Sequence, residues 1–220
     1  MTHRQSYPGR LPLVFVLLVL PCVVIELTLQ AADWGLIGTA RWRALAYQFG
    51  AFWPGLLAGW RPNYEAQPVL MFLSYAFLHG GLVHLVVNMI TLISLGNAVI
   101  YRVGQWRFMA IYAASAILGG VVFALLASSG FRPMVGASGS LFGLAGALIV
   151  WNVVLTVRQR SGILLTAVNF AWPVGILIVL NVVMYVGTDG AVAWETHLGG
   201  FLAGTVLAVF MTPRMDAPEG

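Results

Sequence analysis

Lysine is absent from the chain, so all eleven of its basic residues are arginines. Charge of either sign is scarce. Eleven arginines and seven acidic residues make up 8% of the 220 residues, whereas a soluble domain is about a quarter charged. With 60% hydrophobic residues and a mean hydropathy of +0.90, the composition excludes a soluble or disordered chain and implies a polytopic membrane protein. The net charge of +4 arises from scattered arginines rather than a basic cluster, so it reads as a topology signal and not as a nucleic-acid surface. The one cysteine, Cys22, excludes an intrachain disulfide and falls inside the first apolar run as a packing residue.

What is abundant is long apolar runs. They predict six spans at about residues 11–30, 81–101, 108–127, 136–157, 162–187 and 196–212. Residues 1–10 and 213–220 read as short polar tails around a single domain, 11–212. Glu26 and Gln30 stand where a signal peptide would need small residues, so the first run reads as an uncleaved span. Residues 31–80 differ: they hold four of the eight tryptophans (Trp34, Trp42, Trp53 and Trp60) and no clean apolar run. Such aromatic content favours the headgroup region. The expected fold is therefore all-α, a six-transmembrane-helix bundle with a long membrane-embedded first loop. Seven of the eleven arginines fall on the side of the N-terminus, which places both termini in the cytoplasm. A compact chain without a targeting extension leads to the expectation of a bacterial inner membrane, with a eukaryotic organelle as the alternative.

Polar residues inside spans are costly and tend to be functional. Apart from His3, the histidines are His79, His84 and His197. Ser138 lies between glycines in Gly136-Ala137-Ser138-Gly139, at the mouth of the fourth span. That pattern has two readings. Gly139-x-x-x-Gly143 can pack helices together, or a glycine-flanked serine at a helix N-terminus can act as a nucleophile beside free N–H donors. The rest of the chain favours the second. His84 and Asn88 in span two, Ser138 in span four and His197 in span six all lie within roughly 10 Å of one membrane edge, at 1.5 Å per residue. His84 and Asn88 are four residues apart, hence on one helical face, and both can donate hydrogen bonds to an oxyanion. Gly199, Gly200 and Gly204 let span six approach the glycines of span four, as a serine and histidine on different helices require.

No carboxylate is placed for a triad: Asp189 and Glu195 read as loop residues and Glu26 belongs to span one. The expectation is a Ser138–His197 dyad. Phe142, one turn below Ser138, either stacks on His197 or fills lipid-facing or core space. A zinc protease is excluded by the lack of His-Glu-x-x-His, and an aspartyl protease by Asp33 and Asp189 reading as loop residues. No metal or organic cofactor is implied.

These motifs resemble those of the rhomboid family of intramembrane serine proteases. Leu78-His79-Gly80-Gly81-x-x-His84-x-x-x-Asn88, Gly136-Ala137-Ser138-Gly139 and His197-x-x-Gly200-x-x-x-Gly204 match the family's patterns in spans two, four and six. The resemblance implies Ser138 as nucleophile and His197 as base. It also implies an oxyanion site formed by His84, Asn88 and the Ser138 N–H, with Phe142 as the aromatic packing on the histidine. A first loop embedded in the outer leaflet and a loop capping the site before span six follow from it too. The implied partners are the bilayer and transmembrane protein substrates. Two positions depart from the pattern: Leu70-Met71 stands where a Trp-Arg pair is common in the first loop, and Thr196 where alanine is usual.

Overall fold

The computed structural model describes residues 12–127, 130–187, 190 and 192–211. The tails at 1–10 and 213–220 and Asp189 therefore lie outside the described residues. The described residues form eight α-helices: α1 (Leu13–Asp33), α2 (Arg41–Gly50), α3 (Gln67–Ser74), α4 (Leu82–Val103), α5 (Gln105–Leu126), α6 (Ser138–Arg158), α7 (Ile163–Gly187) and α8 (Trp194–Phe210). Five of them (α1, α4, α5, α6 and α7) are long and apolar enough to cross a bilayer. The helix of the sixth expected span, α8, has 17 residues, or about 25 Å of helix. Short 3-10 turns at Pro54–Leu56 and Tyr75–Phe77 belong to the first loop.

Two residues expected in loops are helical. Asp33 ends α1, three residues beyond the expected boundary, where its carboxylate meets Arg43 at 2.6 Å. Glu195 lies in the first turn of α8 and is buried. An acidic side chain is favoured there by the positive end of the helix dipole.

α6 is the central helix, touching α4, α5, α7 and α8. Its contact with α8 is made by backbone. A Cβ on Gly200 would overlap the carbonyl of Gly139, and one on Gly204 the carbonyl of Gly143. In lipid, where apolar burial drives little association, such close approach is what holds helices together. Gly199 faces α5 instead, against the Leu118 carbonyl. At the other end of the pair, the Trp151 Nε1–H donates to the carbonyls of Ala208 (3.0 Å) and Met211 (2.9 Å). The apolar core on the α1 side of the bundle includes Phe15, Leu92, Phe108, Ile111 and Leu144.

The first loop is pinned by a buried charge. Glu26 of α1 is 0% exposed and accepts a forked pair from Arg43 of α2, at 2.8 and 3.1 Å. A carboxylate so deep is tolerable only when both oxygens are met this way. Arg43 and the Tyr47 hydroxyl also donate to the carbonyl of His79 (3.2 and 2.8 Å), which ties the loop to the approach of α4. Gln67 and Ser74 hold the end of α2 by bonds of 2.7 Å to the carbonyls of Gln48 and Gly50. Leu70-Met71 therefore does not anchor the loop through charge; Met71 is core and Leu70 is exposed.

Candidate active site

The turn into α6 depends on glycine. Gly136 has φ +120, a region that L side chains rarely adopt, and its N–H bonds the Tyr75 carbonyl at 3.0 Å. A Cβ at this position would fall 2.7–2.8 Å from Cε1 and Nε2 of His84. The missing side chain thus lets the His84 ring lie on the backbone leading to Ser138. The Gly80 N–H points at His84 Nδ1 (3.1 Å), which makes Nδ1 the acceptor and leaves the ring proton on Nε2, the nitrogen beside Gly136.

Asn88 is buried on the same face, and its Nδ2 donates to the His84 carbonyl at 2.8 Å. One Asn88 N–H remains for another acceptor, and its Oδ1 has no partner among the described residues. His79 lies edge-on to His84, ring centroids 5.2 Å apart. It is fully buried, and burial first, then the neighbouring His84, push its imidazole down to about 4. It is therefore neutral at physiological pH.

Ser138 is the first residue of α6, with Ala137 buried behind it as N-cap. Its Oγ lies 2.8 Å from Nε2 of His197 in the first turn of α8. The glycine contacts one turn further in set that separation. Gly139 also makes room for the Cγ2 of Thr196, which a Cβ there would meet at 2.6 Å, so the threonine at 196 is accommodated. The His197 ring stacks on Phe142, with centroids 4.2 Å apart and planes 2° from parallel. Its Nδ1 meets Oδ1 of Asn181 at 2.5 Å.

Asn181 did not emerge from the sequence, though a signal was present: it is an amide in an otherwise apolar run. That run holds a second one, Asn169, which bonds Thr156 Oγ1 near the opposite end of the helix. Spacing alone does not tell the two apart. An apolar cavity of about 500 Å³ opens beside this group, lined by Leu177, Ile178 and Val182 of α7 and by Trp194, Leu198 and Phe201 of α8. Across the approach to α8, Arg132 holds the carbonyls of Gly190 (2.5 Å) and Val192 (2.9 Å). Among the described residues no group of three His, Cys, Asp or Glu side chains is placed to hold a metal.

A bundle of membrane-length helices that joins a serine on one helix to a histidine on another, beside a glycine turn, defines a polytopic membrane protein with a hydrolase-type constellation. The chain belongs to the rhomboid family, for its residues 66–214 match the family model of the Rhomboid domain. RHOMBOID-like protein 5 of Arabidopsis thaliana is 36% identical over 147 residues, covering 64% of this chain and 44% of the plant protein. The Rhomboid protease GluP of Bacillus subtilis is 32% identical over 130 residues, covering 58% of this chain and 23% of GluP. An uncharacterised protein of Mycobacterium leprae is 36% identical over 156 residues, 69% of this chain and 58% of that one. The chain thus spans less than two thirds of each of these relatives.

Proposed function

We propose that the protein is an intramembrane serine endopeptidase that cuts peptide bonds in or near transmembrane segments of other proteins. The observation that carries this reading is the 2.8 Å hydrogen bond between Ser138 Oγ and His197 Nε2, made across two helix N-termini. An isolated hydroxyl is a poor nucleophile, and a base within hydrogen-bond reach is what activates it. His197 takes the Ser138 proton as Oγ bonds to the substrate carbonyl carbon. The carbonyl oxygen becomes an oxyanion, which the free N–H of Ser138, the Nε2–H of His84 and the remaining Asn88 N–H are suited to bind. His197 then gives its proton to the leaving amine, and a water releases the acyl group from Ser138 by the same steps. Similarity to a relative named a protease supports the same activity.

The arginine distribution orients the site toward the outer face, with both termini inside. A stable substrate helix hides its carbonyls in i→i−4 bonds, so the bond to be cut must unwind first. A glycine or proline nearby lowers that cost by roughly 1–3 kcal/mol. The close packing around Gly136 and Gly139 favours a small side chain before the cut.

The test is fluorophosphonate labelling of the purified protein together with turnover of a single-span substrate. Ser138→Ala and His197→Ala should abolish both while leaving the melting temperature within a few degrees of the parent. Near-normal turnover in either variant would overturn the proposal. Asn88→Ala should lower kcat by up to about 10²–10³ with less effect on KM, and spare labelling more than His197→Ala does.

A further inference from the structure

Stacking on Phe142 fixes the plane of the His197 ring but not which nitrogen carries its proton. A neutral imidazole has one N–H, and a general base facing Ser138 needs it on Nδ1. Asn181 supplies the selection. Its Nδ2 donates to the Leu177 carbonyl one turn back on α7, at 3.2 Å. That bond orients the amide and leaves Oδ1, which can only accept, facing His197 Nδ1 at 2.5 Å. Nδ1 must then be the protonated nitrogen, and the Nε2 lone pair is directed at the Ser138 hydroxyl. Glu195 is close in sequence, but its Oε2 has no partner among the described residues.

We infer that Asn181 is the positioning residue of the site, the third member of a Ser138–His197–Asn181 relay in which a neutral amide holds the tautomer and orientation of the base. The inference rests on the protease reading above. No proton passes to the amide. The Ser138 proton moves to Nε2, the Nδ1–H stays with His197 throughout, and the Asn181 oxygen accepts from it more strongly once the ring is cationic. Asn181 lines the cavity beside the imidazole, and the role assigned to it is toward His197 Nδ1.

The test uses the full chain reconstituted in lipid, with Asn181→Leu (similar size, no acceptor) and Asn181→Asp (acceptor kept). Asn181→Leu should lower kcat and the rate of fluorophosphonate labelling by about 10²-fold with KM within twofold, a smaller loss than removal of the charged member of a catalytic triad. Asn181→Asp should recover at least tenfold of that loss. Independently of activity, ¹⁵N-histidine spectra, with His197 assigned by its disappearance in His197→Gln, should show Nδ1 protonated in the parent and a shifted tautomer balance in Asn181→Leu. If Asn181→Leu keeps parental kcat and tautomer while Ser138→Ala is inert, the relay is wrong and the dyad stands. If Ser138→Ala itself turns over substrate, the protease reading falls first. Loss of activity with unchanged imidazole shifts and no recovery in Asn181→Asp overturns the positioning role.

Discussion

α7 and α8 both flank α6 and both reach the same imidazole, yet they are held in opposite ways. α8 buries eight of its 17 residues, among them Gly199, Gly200 and Gly204, which lie on the backbones of α5 and α6. α7 buries none of its 25, and Gly175 and Gly187 have nothing within 4 Å of where a Cβ would be. The difference shows where a membrane bundle keeps its precision. The Ser138–His197 separation is set by backbone contact, which does not stretch, whereas the Asn181–His197 bond is made from a lipid-facing helix across the edge of a cavity. The proposed reacting pair thus sits where helices meet backbone to backbone, and its proposed orienting group on the helix with no buried residue.

The contrast can be broken most severely at Gly204. Gly204→Ala places a methyl group on the Gly143 carbonyl, and no rotamer relieves a clash with backbone. The cost should be roughly 3 kcal/mol, the upper end for overpacking, and the lower melting temperature should come with loss of Ser138 labelling. A Gly204→Ala protein as stable and as reactive as the parent would show that α6 and α8 are not in this contact.

Trp151→Phe tests the other end of the same helix pair. It leaves the carbonyls of Ala208 and Met211 without their donor, for a loss of about 1–2 kcal/mol. Calorimetry in detergent should register that loss with little change in kcat, because the site lies at the opposite end of α6.

At the junction of the two regions, Phe142→Leu removes the ring stacked on His197. Aromatic stacking contributes about 0.5–1.5 kcal/mol beyond burial, so kcat should fall about three- to tenfold with KM and folding little changed. An unaltered kcat would mean that the stack does not align the base.

The smallest effect belongs to α7. Gly175→Ala meets open space and gains helix propensity, so stability should hold or rise by up to about 1 kcal/mol, with activity within twofold. The same substitution at positions 175 and 204 should therefore act in opposite directions.

Properties that each residue carries by itself, or shares with near neighbours along the chain, were legible in the sequence. Hydropathy marked the membrane class and the long helices, with ends within about three residues of those found, because an apolar run of that length has little alternative to a helix in lipid. Glycine spacing marked the faces able to approach closely, and the histidines and Ser138 were nominated because polar groups in apolar runs are few. The 2.8 Å contact of Ser138 with His197, the division of Gly199 and Gly200 between two neighbouring helices, and the Arg43–Glu26 pair across 17 residues were decided in three dimensions. So was the choice of Asn181 over Asn169 as the partner of His197. Each depends on the rotation and depth of one helix against another. That relation is set by packing over the whole bundle, and no local stretch of chain encodes it.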